Sequence, residues 1–279
     1  MVVVYLITLG GNSLIIVMLR IDRRLHNPMY FFLSNLSLLD ICYSSNSVPF
    51  LLFSSLKDYP IISFTSCYAP MTIALFLGLT ECLFLAVMAY GRFVAISNPL
   101  HYTIIMNNQV CIQLAMLSWA SAFLLAIIPV IAIPAHFCVH NVINHFTSEV
   151  QAQLKLVCSN TPASLILGLI ISVFTLSPPF TFILISYFCI VVAVLRIHSA
   201  QARLKAFSTC GSHLTVVTIF YGMAIYMYLK PQSKESQEQD KVISAFYGVV
   251  TPMLNPFIYT LRNKDVKNAL RKIIVKKES

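Results

Sequence analysis

Charged side chains are scarce in this sequence, since Asp, Glu, Lys and Arg together make up only 10% of its 279 residues. A soluble domain carries about a quarter charged residues, because its surface has to be hydrated. Hydrophobic residues make up 58% of the chain, and its mean hydropathy is +0.78. The shortage of charge excludes an ordinary soluble protein and indicates a membrane protein whose outer surface faces lipid.

The first apolar run, MVVVYLITLGGNSLIIVMLR, lacks the basic start of a signal peptide. We expect it to be a membrane-spanning helix, with no ordered extracellular domain before it.

Metal-ligand spacing is also missing from the sequence. His101, His198 and His213 are predicted to lie near the cytoplasmic boundary, and none belongs to a His-Glu-x-x-His motif. The sequence therefore predicts neither an enzyme nor a protein that needs a metal or organic cofactor.

Seven long apolar runs predict seven transmembrane helices in a single domain, 1–279. Each run approaches or exceeds the roughly 17–20 residues needed to cross a bilayer, and an open strand would leave backbone groups unpaired in lipid. Pro178-Pro179 falls inside the fifth run, where neighbouring helices can absorb a kink. The predicted fold class is an all-α membrane bundle, with spans at about 2–19, 28–53, 67–96, 110–135, 163–197, 208–229 and 242–261.

Basic residues are distributed unevenly between the predicted loops. Most of the 19 Lys and Arg residues fall on the side that holds the first loop and the C-terminus. The positive-inside rule then predicts an extracellular N-terminus and a cytoplasmic C-terminus, in a multi-pass protein of the plasma membrane. The net charge of +9 is predicted to face anionic membrane lipid and cytosolic partners, not nucleic acid.

The C-terminal stretch RNKDVKNALRKIIVKKES mixes apolar and basic residues at helical spacing. It predicts an amphipathic surface helix at about 263–275, lying on the membrane. A frayed basic tail is the alternative.

Two acids, Asp40 and Glu81, fall inside predicted spans, where ionisable groups are costly and often functional. Asn12 and Asn255 lie at a similar depth. Glu81 and Arg92 are eleven residues apart, which is almost three helical turns, so both face one side of the third helix at a separation of roughly 16 Å. The pattern leaves two interpretations open: these groups are packing contacts inside the bundle, or they form a mid-membrane cation site and a cytoplasmic switch.

Three of the eight cysteines, Cys67, Cys138 and Cys158, fall on the predicted outer side. The extracellular environment is oxidising and favours disulfides. Because three is an odd number, one thiol is left over, and counting alone does not say which one.

Four stretches resemble the odorant receptors, a branch of the rhodopsin-like (class A) G-protein-coupled receptors. They are GNSLIIVMLRIDRRLHNPMYFFLSNLSLLDICYS, MAYGRFVAISNPLHY, SYFCIVVAVLRIHSAQARLKAFSTCGSHLTVV and PMLNPFIYTLRNKDVKNAL. The resemblance implies a small volatile odorant as ligand. It also implies a heterotrimeric stimulatory G protein of the olfactory type, which raises cyclic AMP.

The resemblance also assigns roles to individual residues. Arg92 matches the arginine that reaches the G protein, and Tyr187 and Tyr259 are expected to approach it on activation. Asn255, Pro256 and Tyr259 match the hinge motif of helix seven. Asp40 and Glu81 match mid-membrane acids that could bind Na⁺ as an allosteric ion.

By the same resemblance, the ligand site lies in the outer half of the bundle between helices three, five and six. The matching positions carry no acid or base, which predicts a neutral and mostly apolar ligand. They are Ala74, Leu75, Gly78, Leu79, Ile171, Ser172, Thr175, Tyr221, Ala224, Ile225 and Tyr228.

The sequence departs from the family pattern in the residue before Arg92 and in the outer loop. Gly91 stands where the family has an acid, and Ser148 stands where it has a cysteine that bonds helix three. The resemblance therefore leaves Cys67 unpaired and pairs Cys138 with Cys158. The N-terminus also lacks the glycosylated segment usual in the family. A poorly trafficked or non-signalling relic of a receptor is the main alternative. A transporter or channel is less favoured, because the sequence has no matching broken halves.

Overall fold

A computed structural model of the chain describes residues 2–22, 27–55, 64–132, 162–229 and 250–262. Within these ranges all regular structure is helical, which confirms the predicted all-α fold class. The helices are α1 (Val2–Ile21), α2 (Pro28–Ser55), α3 (Phe64–Ser97), α4 (Tyr102–Ile105), α5 (Asn108–Ala132), α6 (Pro162–Leu195), α7 (Ala200–Leu229) and α8 (Thr251–Arg262). The predicted surface helix at 263–275 and residues 242–249 of the seventh span lie outside the described residues.

Helix α3 is the centre of the bundle and contacts α2, α4, α5, α6 and α7. Its middle is apolar and tightly packed, since the side chains of Phe84, Leu85 and Ala89 are all 0% exposed. Helix α1 packs against α2 and α8, and α8 also contacts α2 and α7. Residues of α2, α3 and α8 therefore meet inside the bundle.

Apolar side chains cover much of the outside. Val3, Met116 and Phe188 are each at least 66% exposed, whereas Asp40, Arg92 and Asn255 are buried. This arrangement is the reverse of a soluble protein and suits a lipid environment. On length and composition alone, four described segments are apolar enough to span a membrane: Val2–Ile21, Ala69–Ser97, Asn108–Ile127 and Ser172–Leu195.

The junction between α6 and α7 differs in detail from the sequence prediction. Helix α7 begins at Ala200, not at Ser208, because its polar first turns are still good helix formers. Only a short link joins α6 to α7, and the Arg203 Nη2 donates a hydrogen bond to the Ile197 carbonyl at 2.9 Å. Helix α6 runs through Pro178 and Pro179, as expected of a packed bundle.

Candidate ligand and signalling site

A polar cluster at mid-membrane joins α2, α3 and α8. The Asn255 Nδ2 donates hydrogen bonds to both carboxylate oxygens of Asp40, at 3.0 and 3.2 Å. Glu81 is 8% exposed and interacts electrostatically with Asp40. The structure thus brings together the two acids singled out in the sequence and adds Asn255 as a direct partner. No group of three His, Cys, Asp or Glu side chains that could hold a metal occurs in the described part of the chain.

Asn12 links α1 to this cluster through the backbone of α8. Pro256 has no N–H, so it cannot donate the helical hydrogen bond to the carbonyl four residues earlier, that of Pro252. The Asn12 Nδ2 donates to that carbonyl at 3.1 Å and also to the Thr8 carbonyl at 3.0 Å. Sequence reasoning noted the depth of Asn12 but missed this role, although the missing N–H of Pro256 was a usable signal.

A second cluster lies toward the predicted cytoplasmic end, around Arg92. The Tyr187 hydroxyl of α6 and the His213 Nδ1 of α7 share a hydrogen bond of 2.8 Å, and their rings stack. Both side chains interact electrostatically with Arg92. The structure therefore places Tyr187 within electrostatic range of Arg92 and adds His213, which is 0% exposed. From the sequence alone, His213 is predicted to lie near the cytoplasmic boundary and has no assigned role. The side chain of Tyr259 lies outside the described residues.

Gly91 faces apolar groups where the family carries an acid. A Cβ at Gly91 would lie 3.4 Å from the Met106 Cε and 3.7 Å from the Met29 Cε. Nearby, the Tyr102 hydroxyl donates to the Asn27 Oδ1 at 3.0 Å and ties α4 to the start of α2. Burial raises the pKa of Tyr102 to about 12, so this phenol keeps its proton at neutral pH.

We expect Gly91→Ala to stabilise the protein, because an alanine methyl makes only ordinary contact with the two methionine ends. Helical glycine costs more conformational entropy than alanine, so the gain should be about 0.4–1 kcal/mol. Thermal unfolding of the detergent-solubilised protein would measure this. Gly222→Ala is the matched control, since a Cβ there meets none of the described residues within 4 Å. A melting temperature that falls only in Gly91→Ala would show that the methionine contact is too tight.

The predicted ligand positions divide into three groups. In the first group, Gly78 lies one turn before Cys82 on α3, and a Cβ there would meet no heavy atom of the described residues within 4 Å. The Tyr221 hydroxyl lies 2.8 Å from the Cys82 Sγ. The Tyr221 ring contacts the Phe180 ring of α6, with centroids 4.6 Å apart. These residues bring α3, α6 and α7 together around one point.

The second group of predicted ligand positions is half-buried and consists of Ala74, Leu75, Ser172, Thr175 and Ala224. Within this group, the Thr175 hydroxyl donates a hydrogen bond to the Ser172 carbonyl at 3.1 Å.

The third group is Leu79 and Ile225, and Leu75 of the second group also packs against the cluster that contains Leu79. Leu79 packs against Ala122 and Ala126 of α5, and Ile225 is 46% exposed on the outside of α7. The side chains of Ile171, Tyr228 and Cys67, and all of Cys138, Ser148 and Cys158, lie outside the described residues.

The described residues form an all-helical bundle with one buried polar cluster around Asp40 and another around Arg92. A family model described as "Olfactory receptor" matches residues 1–277. Human Olfactory receptor 13H1 is 52% identical over 275 residues, which cover 99% of this chain and 89% of the relative. Human Olfactory receptor 2K2 is 50% identical over 275 residues, covering 98% of this chain and 87% of the relative. The chain belongs to the olfactory receptor family, whose members are membrane receptors and not enzymes.

Proposed function

We propose that this receptor binds a small, neutral and mostly apolar odorant in the outer half of the bundle and activates an olfactory stimulatory G protein, raising cyclic AMP. The observation that supports this most directly is the position of α7. Its outer half carries Tyr221, which contacts α3 and α6, and its inner half carries His213, which contacts Tyr187 beside Arg92.

A ligand shifts a two-state equilibrium only if it interacts differently with the two states. An odorant beside Gly78 would contact Tyr221 directly and so would favour one position of α7. A shift of α7 must change the hydrogen bond between Tyr187 and His213, because these residues lie on different helices. The outer ligand site and the Arg92 cluster would thus be coupled through one helix.

The first test is cyclic AMP in cells that express the receptor with the olfactory G protein, exposed to a broad panel of volatiles. We expect a ligand-dependent rise that Arg92→Ala abolishes, with surface staining unchanged. Arg196→Ala is the matched control, because Arg196 is an exposed arginine near the same end of the bundle. A response that survives Arg92→Ala would mean that signalling does not pass through this cluster.

We also propose that the mid-membrane cluster binds Na⁺ as an allosteric ion. Three buried oxygens in it have no hydrogen-bond partner among the described residues: Glu81 Oε1, Asn12 Oδ1 and Asn255 Oδ1. With the Asp40 carboxylate they form an all-oxygen set, which suits a hard cation. The ion would hold α1, α2, α3 and α8 together.

We expect the bound ion to favour the inactive arrangement of these helices. Replacing Na⁺ by choline at constant ionic strength should therefore lower the odorant concentration that gives a half-maximal response in the wild type. Asp40→Asn should remove this difference, since it takes away the carboxylate charge while keeping the side-chain size. Persistence of the Na⁺ effect in Asp40→Asn would place the ion elsewhere.

The receptor is proposed to lie in the plasma membrane with its N-terminus outside, and the distribution of basic residues supports this orientation. Staining of an N-terminal epitope on unpermeabilised cells would test this. The same experiment addresses the second candidate, a poorly trafficked or non-signalling receptor, which is favoured by the apolar setting of Gly91. Protein at the surface without any Arg92-dependent signal would support that candidate.

A further inference from the structure

The interior stripe of α3 runs upward to Gly78. Cys82, Leu85, Ala89 and Arg92 follow one another at spacings of three or four residues, and none is more than 6% exposed. Residues at this spacing share one face of a helix, so Gly78 extends the same face by one turn toward the outer end. A Cβ at Gly78 would meet no heavy atom of the described residues within 4 Å. Because this face points into the bundle, the open space lies among the helices and not in lipid.

The floor of this space is the pair formed by Cys82 and Tyr221. Both side chains are buried, at 1% and 4% exposure, and their Sγ and hydroxyl oxygen are 2.8 Å apart. Phe180 and Phe220 flank the tyrosine ring at 4.6 and 5.1 Å between centroids, so the ring is held in place by apolar packing.

The Cys82–Tyr221 pair has one more hydrogen-bond donor hydrogen than its mutual hydrogen bond uses. A thiol and a phenol each carry one hydrogen, and their mutual bond uses only one of the two. Among the described residues neither side chain makes a second hydrogen bond. A buried donor without an acceptor is costly, so the remaining hydrogen favours a ligand that accepts it.

We propose that the ligand is a neutral carbonyl compound, an aldehyde, ketone or ester, whose oxygen accepts the remaining hydrogen of the Cys82–Tyr221 pair. Its apolar part fills the space beside Gly78, next to Ala74 and Leu75. This inference rests on the proposed odorant-receptor function and names the ligand class for the same site. An alkane would leave the hydrogen without an acceptor, and a protonated amine would bring further donors to a floor that needs an acceptor.

The test uses a homologous series of straight-chain methyl ketones, with the alkane and the primary amine of each chain length, on the full receptor. We expect the ketones to raise cyclic AMP and the other two series to be inactive at the same concentrations. Tyr221→Phe should raise the half-maximal ketone concentration about tenfold, because the Cys82 thiol that remains is only a weak donor and the stronger hydrogen bond is lost. Cys82→Ala should not raise it, because the tyrosine hydrogen is then left for the ligand.

The space itself is tested by filling it. Gly78→Val adds three carbon atoms, and the first of them meets no heavy atom of the described residues within 4 Å, so the fold should tolerate the change while ketone potency falls at least tenfold. Gly222→Val is the matched control, because a Cβ there also meets nothing but Gly222 is exposed on the outside of α7. Surface staining of each variant excludes a loss of folding.

The results separate two claims, the carbonyl ligand class and the odorant-receptor function. Unchanged ketone potency in Tyr221→Phe, or activation by alkanes or amines in place of ketones, overturns the ligand class and leaves the receptor function standing. If no ketone raises cyclic AMP in a receptor whose basal signal depends on Arg92, the ligand class is also overturned and the receptor function still stands. Failure of all three series, together with a basal signal that Arg92→Ala leaves unchanged, overturns the proposed function itself.

Discussion

Gly11→Leu is expected to lower the amount of receptor at the cell surface several-fold, whereas Gly10→Leu should leave it unchanged. A Cβ at Gly11 would already lie 3.4 Å from the Pro256 Cβ and 3.5 Å from its Cγ. The further carbons of leucine would overlap the proline ring, which is rigid and belongs to the backbone of α8. Overpacking of this kind costs about 1–3 kcal/mol, and a loss of that size reduces the abundance of a marginally stable protein in cells.

Gly10 provides a closely matched control because it precedes Gly11 in the same helix. It is exposed, and a Cβ there meets nothing within 4 Å, so leucine at this position faces lipid, where it is favourable. Surface staining and fluorescence-detected gel filtration would measure both variants. An equal loss in both would mean that α1 needs glycine for its own conformation. An equal lack of effect would mean that α1 and α8 can separate without loss of stability.

His213→Phe is expected to raise basal cyclic AMP roughly five- to tenfold, the factor that corresponds to about 1–1.4 kcal/mol for one buried hydrogen bond. In this structure the Tyr187 hydroxyl is held by the His213 Nδ1 at 2.8 Å. Phenylalanine keeps the ring but removes the nitrogen, so the tyrosine loses its partner. If approach of Tyr187 to Arg92 belongs to the active state, as the family resemblance implies, the released hydroxyl favours that state.

A double substitution separates this explanation from a general loosening of the bundle. Adding Tyr187→Phe to His213→Phe removes the hydroxyl that is expected to reach Arg92, so basal signalling should return toward the wild-type level. A basal signal that stays high in the double variant would show that packing, not the tyrosine hydroxyl, sets the equilibrium. A fall in His213→Phe alone would assign the hydrogen bond between Tyr187 and His213 to the active state.

The helical class of the fold could be predicted because lipid leaves few ways to satisfy a backbone, and the long apolar runs are visible in the sequence. Asp40, Glu81 and Asn255 fall inside these apolar runs, so their burial within the bundle could also be predicted. The pairing of Asp40 with Asn255 could not, because the two residues are far apart in the chain and only the packing of α2 against α8 brings them together. The same holds for Cys82 with Tyr221 and for Tyr187 with His213.

Some contacts were within reach of sequence reasoning and others were beyond it. Because Pro256 has no N–H, the sequence already indicates that the Pro252 carbonyl lacks its helical hydrogen bond. A search for a buried amide that could bond this carbonyl would have found Asn12. The ligand positions depend on which way each side chain points. Leu79 and Ile225 turn away from the space beside Gly78, and helical spacing alone did not reveal this. The Cys138–Cys158 bond, the role of Tyr259 and the surface helix stay predictions.

The short link between α6 and α7 limits how far the two helices can part. From Leu195 to Ala200 the chain can reach at most about 17 Å when fully extended. The hydrogen bond from the Arg203 side chain to the Ile197 carbonyl keeps the link from extending fully. The link thus acts as a tether. A displacement of this end of α7 that exceeds the reach of the link must carry the end of α6 along or unwind the first turn of α7. Reporter proteins inserted into this link would lengthen the tether and would measure a different motion from the one the native receptor makes.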